Sequence, residues 1–234
     1  MHAKDLDLKK SDKTFSTNKR RQIIYVVDDD ASVCRALKLL LEPYGFKVAT
    51  FTGAAEFLSL KRFYKAPSCL LLDVIMPRMS GLTLQEVMAD KQLTIPIVFI
   101  TSYGGIPMAV KAIQAGAIDF LPKPFTEKKL LNAIERAIVK DKIQIKEQVE
   151  IARIKEHIKT LSSSELEVFR CVAKGMLNKQ IASKRGNALQ TIKVHRVRVM
   201  HKMHARNVTQ LIHLAQKAGI TSPQYEFPLN YSKR

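Results

Sequence analysis

The chain has 234 residues, 46 % of them apolar, which is enough to bury a real core and to build one or two domains. Its net charge of +18 is unevenly spread: residues 1–21 carry 7 basic and 3 acidic side chains, residues 22–140 carry 14 and 11, and residues 141–234 carry 18 and 7. A near-neutral body with a strongly basic C-terminal part points to a polyanionic partner for that part alone; no run approaches the ~20 apolar residues of a membrane span and no signal peptide opens the chain, so no membrane partner is expected.

Residues 1–21 lack an apolar period and read as a flexible basic leader. From residue 22, short β-rich runs alternate with amphipathic helical segments. The runs are "QIIYVVD", "FKVATF", "SCLLLD", "IPIVFIT" and "AIDFLPK", and each is followed by a segment of helical period, the last being "TEKKLLNAIERAIVKD". Five strands alternating with five helices predict a doubly wound, five-stranded parallel α/β sheet over residues 22–140. Cys34, Cys69 and Cys171 are odd in number, widely spaced and set among apolar residues, as buried reduced thiols of a cytoplasmic protein would be.

In an open parallel sheet, ligands bind beyond the carboxyl ends of the strands. The first run ends on Asp28 and Asp29, the third on Asp73 and the fourth on Thr101, and the fifth leads through Pro122 to Lys123. Three carboxylates, a hydroxyl and an ammonium are thus expected at one edge. Crowded carboxylates suit a hard cation such as Mg²⁺, which favours phosphate as a further ligand. The lysine and the threonine would meet phosphoryl oxygens, and Asp73 would accept phosphorus as an acyl phosphate. Asp30, the third aspartate of "VVDDD", is expected to face solvent or to cap the helix beginning near Ala31.

The stretches "VVDDD", "LLLDVIMPRMSG", "FITSYG" and "DFLPKPF", in this order and at these separations, resemble the CheY-like receiver domain of two-component response regulators. The resemblance implies Asp73 as phospho-acceptor, with Asp28, Asp29, Asp73 and the backbone carbonyl of Ile75 as the Mg²⁺ ligands. It also implies Thr101 and Lys123 as catalytic partners and Thr101 with Phe120 as the switch. A rival pattern exists: Asp28, Asp30, Ser32 and Val33 loosely fit the signature of haloacid-dehalogenase-type phosphatases. That reading makes Asp28 the nucleophile, but it leaves Asp73 without a role and lacks the late acidic pair such enzymes need.

Beyond residue 140 the β signal vanishes. Residues 141–158 form a charged, helix-prone linker, residues 159–220 a small all-α unit, and residues 221–234 a C-terminal tail. "SSSELEVF" carries serines before glutamates, as an N-cap with first-turn acids does, and Gly175 closes that helix. A short helix, a turn at Gly186 and a longer basic helix then make a helix-turn-helix pattern, whose second helix enters the major groove. On that helix Ile192, Val199 and Met203 are expected inward, with Lys193, Val194, Val197 and Arg198 outward and Arg196 and Lys202 at the flanks. Outward cations meet phosphates or guanine edges, and an outward valine packs on a thymine methyl. His201 and His204 lie one turn apart, but no cysteine or carboxylate completes a metal site.

"LSSSELEVF", "KGMLNKQIA" and "TIKVHRVRVMHKM" resemble the DNA-binding domain of LuxR/FixJ-type regulators. By position, the resemblance implies DNA contacts from Lys179, Thr191, Lys193, Val194, Val197 and Arg198, with Arg196 and Lys202 beside them. The family usually has apolar residues where Arg185 and Asn187 stand and often a serine cap where Ala188 stands; a one-residue shift would let Asn187 take over the cap. The expected protein is therefore a cytoplasmic transcriptional response regulator, not an enzyme beyond its own phosphoryl chemistry. A sensor histidine kinase would phosphorylate it, and phosphorylation would dimerise it through helix 4, strand 5 and helix 5 on double-stranded promoter DNA. A phosphorylation-independent DNA-binding protein, using the receiver only as a dimer scaffold, is the alternative.

Overall fold

The computed structural model describes residues 22–60 and 66–220; the basic leader and the C-terminal tail lie outside them. Five strands form one sheet: β1 Ile23–Val27, β2 Lys47–Phe51, β3 Ser68–Leu72, β4 Ile97–Thr101 and β5 Asp119–Pro122. They pair in the order β2-β1-β3-β4-β5, every pair parallel, as a doubly wound α/β fold requires. Between them run α1 Ala31–Leu41, α2 Ala54–Leu58, α3 Gly81–Asp90 and α4 Ile106–Gln114, with α5 Glu127–Lys159 after β5.

Strand residues alternate between the two faces, and both faces are dry, which is why the central strands read as unbroken apolar runs. Ile24, Val26, Cys69, Leu71, Val98, Ile100 and Leu121 pack with α1 (Cys34, Leu37, Leu41) and the first turns of α5 (Leu130, Ala133, Ile134, Ala137, Ile138). Tyr25, Val27, Leu70, Leu72, Ile97 and Phe99 pack with α2, α3 and α4 through Phe57, Leu84, Met88 and Ala112. At the N-terminal end of the sheet, the buried Asp141 of α5 accepts from Ser68 N–H at 2.6 Å and Ser68 Oγ at 3.0 Å, joining that helix to the start of β3.

The described residues fall into two compact units that part between Ile145 and Lys146. The stretch 141–158 is helical throughout as part of α5. Asp141 is bonded within the first unit and Ile154 packs in the core of the second. The second unit comprises α6 Ser163–Ala173, α7 Asn178–Arg185, α8 Leu189–Lys202 and α9 Val208–Lys217. Its core joins Val168, Phe169 and Val172 of α6 to Ile181 of α7, Ile192 and Val199 of α8, and Leu211 and Ala215 of α9. Ser162 caps α6 in a full capping box: its Oγ accepts from Glu165 N–H, and the Glu165 carboxylate accepts from Ser162 N–H. Gly186, at φ 62°, ends α7 in the left-handed conformation that glycine adopts without a Cβ clash. All three cysteines are free and buried, and among the described residues no helix is long and apolar enough to cross a membrane.

Candidate functional site

Register brings the first site together. Val27 lies beside Leu72 in the sheet, so the residues that follow them, Asp28 and Asp73, emerge as neighbours, and Asp73 N–H still donates to Val27 O at 2.9 Å. Thr101 pairs with Pro122, and Lys123 N–H donates to Thr101 O at 2.7 Å. The alternation of the strands then sorts the side chains. Asp28, Asp73 and Lys123 continue the parity of Val26, Leu71 and Leu121, whereas Thr101 and Phe120 share that of Phe99. One sheet edge thus carries a charged group on one parity and a hydroxyl–aromatic pair on the other.

Lys123 Nζ donates to Asp28 Oδ2 at 2.7 Å and to Asp73 Oδ1 at 3.4 Å. Asp73 Oδ2 accepts from Ile75 N–H at 2.8 Å, and Asp28 Oδ1 accepts from Asp30 N–H at 3.0 Å. Asp28 and Asp73 are buried, while Asp29 stands exposed at the rim. Burial raises the Asp73 carboxyl above its ordinary value, an effect that the Ile75 amide and the Lys123 charge oppose and the Asp28 charge reinforces. Burial alone would lower Lys123, but its bonds and charge contacts with Asp28 and Asp73 outweigh that and raise it. Asp30 caps α1, accepting from Ser32 N–H at 2.7 Å, and is held below its usual value by that residue's hydroxyl and amide. The three aspartates of "VVDDD" thus divide into one buried in the pocket, one at its rim and one helix cap.

The donors at this edge are all hard oxygens, and Asp28 and Asp73 at the Lys123 ammonium, with Asp29 at the rim, leave a formal charge of two minus, which fits a divalent cation such as Mg²⁺. In the arrangement seen here, Asp28 and Asp73 turn to Lys123, and among the described residues no three acidic, imidazole or thiol side chains stand together as a metal cage.

Two glycines that residue chemistry did not single out shape this edge. A Cβ on Gly81 would lie 2.2 Å from the carbonyl oxygen of Asp73, so only glycine lets the start of α3 come this close to the acidic strand end. A Cβ on Gly104 would lie 2.6 Å from Phe120 Cζ. Thr101 is buried, and its hydroxyl donates to Tyr103 O at 2.9 Å and accepts from Tyr103 N–H at 3.2 Å. Phe120 is half-buried with its ring centroid 6.1 Å from that of Phe99.

The second site is the outer face of α8. Ile192, Val199 and Met203 are buried as the helical period predicts, and Thr191, Lys193, Val194, Val197 and Arg198 are exposed, with Val197 at 68 %. Lys179 is exposed near the start of α7. The flanking cations are engaged within the unit: Arg196 Nη1 donates to Asn178 Oδ1 at 2.6 Å, and Lys202 Nζ donates to Glu165 Oε2 at 2.6 Å and Thr160 O at 3.0 Å. Lys202 therefore serves the capping-box carboxylate, and its bond to Glu165 is the first cause holding that acid down to about 2. Arg185 stands where an apolar residue was expected from the resemblance. It bonds Ser164 O at 3.0 Å and pairs with Glu167 at 2.7 Å, replacing apolar packing with polar contacts to the start of α6. The one-residue shift that would let Asn187 cap does not occur: α8 begins after Ala188 with no side-chain cap, and Asn187 Oδ1 instead accepts from Arg185 Nε at 3.3 Å. The His204 ring packs 4.8 Å from His157, and no described group of ligands makes a metal site with it.

Comparison with known proteins gives the same division. Residues 24–135 match the family described as "Response regulator receiver domain", and residues 159–215 match "Bacterial regulatory proteins, luxR family". The chain is 40 % identical over 206 residues to Nodulation protein W of Bradyrhizobium diazoefficiens, covering 88 % of this chain and 90 % of that one. It is 36 % identical over 197 residues to the transcriptional regulatory protein FixJ of the same organism, covering 84 % and 96 %. Among solved structures, the response regulator StyR is 42 % identical with a TM-score of 0.70, covering 84 % of this chain and 99 % of that one.

Proposed function

The chain belongs to the response regulators that join a receiver domain to a LuxR-family DNA-binding domain, and on that premise we propose that phosphorylation of Asp73 by a sensor histidine kinase controls its binding to promoter DNA. The observation that carries this reading is the buried Asp73 carboxylate, set between the Ile75 amide and the Lys123 ammonium at the carboxyl edge of the sheet.

Asp73 Oδ1 attacks the phosphorus of a phosphohistidine: the new O–P bond forms as the N–P bond breaks, and the leaving imidazole keeps the electron pair. Lys123, already beside Asp73, pairs with a phosphoryl oxygen, and Thr101 exchanges the Tyr103 backbone for another. Mg²⁺ would be held by Asp28, Asp29, Asp73 and the Ile75 carbonyl, where it supplies neutralisation of the charge shared by carboxylate and phosphoryl group. The charge that phosphorylation adds moves Thr101 and Phe120 and favours dimerisation through the face of α4, β5 and α5. Two α8 helices then enter the major groove, with Lys179, Thr191, Lys193, Val194, Val197 and Arg198 toward DNA and Arg196 and Lys202 bracing the unit from the flanks. The protein would do this in the cytoplasm, and its only catalysis would be its own phosphoryl transfer and dephosphorylation.

Intact mass after incubation with Mg²⁺ and acetyl phosphate tests the first step. An adduct of about 80 Da on the wild type, absent from Asp73→Asn, is the expected result. An adduct retained by Asp73→Asn and lost in Asp28→Asn would overturn the assignment in favour of the phosphatase-like nucleophile.

A further inference from the structure

We infer that the cleft between α6 and α7 is a second recognition surface of the C-terminal unit, which takes an acidic segment of a partner protein while α8 is turned to DNA. The promoter setting rests on the reading of α8 as the DNA face; the affinity of the cleft for carboxylates does not.

The cleft, of about 440 Å³, is lined by Glu167, Arg170, Cys171 and Lys174 along α6 and its C-terminal end, and by Lys184 and Arg185 of α7. Its one acid is already taken: Arg185 Nη1 lies 2.7 Å from Glu167 Oε2 and also donates to Ser164 O at 3.0 Å. That pair neutralises itself and pins α7 against α6, which sets the width of the cleft. The side chains of Arg170, Lys174 and Lys184 have no hydrogen-bonding or charged partner among the described residues, so the cleft keeps a formal charge of three plus. A helix dipole favours a cation at the end of α6 and another at the end of α7. It does not account for both ends opening on one cleft that holds no unpaired acid. Arg185 also stands where the family resemblance implies an apolar residue, so the cleft is a feature of this chain and not of the resemblance.

The cleft lies away from the face assigned to DNA. Val168, Phe169 and Val172 of α6 pack in the core with Ile192 and Val199 of α8. Glu167, Arg170 and Lys174 recur at three- and four-residue steps on the other side of α6, where Glu167 and Arg170 are exposed. On α7, Lys184 follows Lys179 by five residues, about 140° around the helix, so the two lysines occupy opposite flanks. A duplex seated on α8 therefore leaves the cleft open to a second partner. The lining selects that partner. A nucleotide-like ligand needs an apolar or aromatic wall for its base, and here only Cys171 is uncharged. An extended acidic segment needs only spaced cations, and a carboxylate already sits in the cleft in the form of Glu167 on Arg185.

Fluorescence anisotropy of the full-length chain at low salt tests the cleft with a fluorescein-labelled hexapeptide of alternating Asp and Glu. The same titration with a labelled random-sequence duplex reads the α8 face. Two variants remove equal charge: Arg170→Ala with Lys184→Ala at the cleft, and Lys193→Ala with Arg198→Ala on α8. The cleft variant should bind the peptide about fivefold or more weakly, as the loss of two exposed ion pairs implies, and hold the duplex within about twofold of wild type. The α8 variant should do the reverse. Neither Arg170 nor Lys184 has a side-chain partner to lose, so the Tm of the cleft variant should match wild type; Arg170→Gln with Lys184→Gln repeats the test with longer side chains. No binding of the peptide by wild type, or an equal loss of peptide affinity in both variants, would overturn the cleft, since the peptide would then follow net charge alone. Duplex affinity that falls in the cleft variant as far as in the α8 variant would make the cleft a DNA surface and overturn the protein partner. Adenosine triphosphate that binds more tightly than the peptide, and is lost in the cleft variant, would overturn it in favour of a small phosphorylated ligand. Duplex affinity unchanged in the α8 variant would instead remove the promoter setting and leave the cleft to be judged by the peptide.

Discussion

The Lys123 ammonium is anchored on Asp28, donating to its Oδ2 at 2.7 Å. Its approach to Asp73 is longer, at 3.4 Å, so the lysine is positioned at the pocket without forming its closest pair with the proposed nucleophile. Asp73 is left with a carboxyl raised chiefly by burial and supported mainly by the Ile75 amide.

That balance sets a pH dependence. An acid whose folded value is raised holds more protons in the native than in the unfolded chain between its ordinary 3.8 and the raised value, so native stability falls as pH rises through that window and stays lower above it. Asp73→Asn should therefore stabilise the receiver at neutral pH and raise its Tm. The gain should vanish on acidification below the window. Thermal melts of both proteins across pH check this; a gain independent of pH would contradict it.

Gly81 is held to glycine by the carbonyl of Asp73, 2.2 Å from where a Cβ would stand. Because the obstacle is backbone, Gly81→Ala must displace either the start of α3 or the acidic strand end. A loss of about 1–3 kcal/mol is expected in denaturant unfolding, as for overpacking elsewhere. Phosphorylation by acetyl phosphate should also slow at least tenfold, because Asp73 moves with its backbone.

Asp141 satisfies two donors of Ser68 at the opposite end of the sheet. Asp141→Ala leaves the buried Ser68 N–H without its partner and should cost about 1–3 kcal/mol. Asp141→Asn keeps one acceptor and should cost clearly less, since burial already works against the carboxylate's charge and raises its pKa. Urea melts of the two variants would separate a lost acceptor from a lost charge.

Lys202 and Arg198 are both cations of α8, but they should fail differently. Lys202→Met removes the main partner of Glu165 and should destabilise the C-terminal unit by about 1–3 kcal/mol. Glu165 is depressed from 4.5 to about 2, so the stability it contributes is present above 4.5 and is lost as pH falls toward about 2; the deficit of Lys202→Met should shrink over that same interval. The salt dependence of its binding to duplex DNA should hardly change. Arg198→Ala, exposed on the outer face, should leave Tm alone and flatten the slope of log K against log salt by about 0.9. The reverse pattern in salt titrations would place Lys202 on the DNA instead.

Much of this molecule was determined locally. Five β-rich runs alternating with helical segments implied a parallel sheet, and a parallel sheet brings the strand ends at Asp28, Asp73 and Thr101 to one edge whatever the details of packing. Likewise the helical period placed Ile192, Val199 and Met203 inward, and the serines before the glutamates of "SSSELEVF" announced an N-capped helix start. What only the tertiary structure decided are contacts between residues distant in the chain. Period assigns a side chain to a face but names no partner: Lys202 reads like Arg198 until Glu165 lies 2.6 Å from it, and Arg185 looks like a lost anchor until Ser164 and Glu167 receive it. Asn187 suited a cap by chemistry, yet Arg185 takes its oxygen. The glycines are the extreme case, since Gly81 and Gly104 act through atoms they lack, and an empty volume becomes visible only when the Asp73 carbonyl and the Phe120 ring occupy its border.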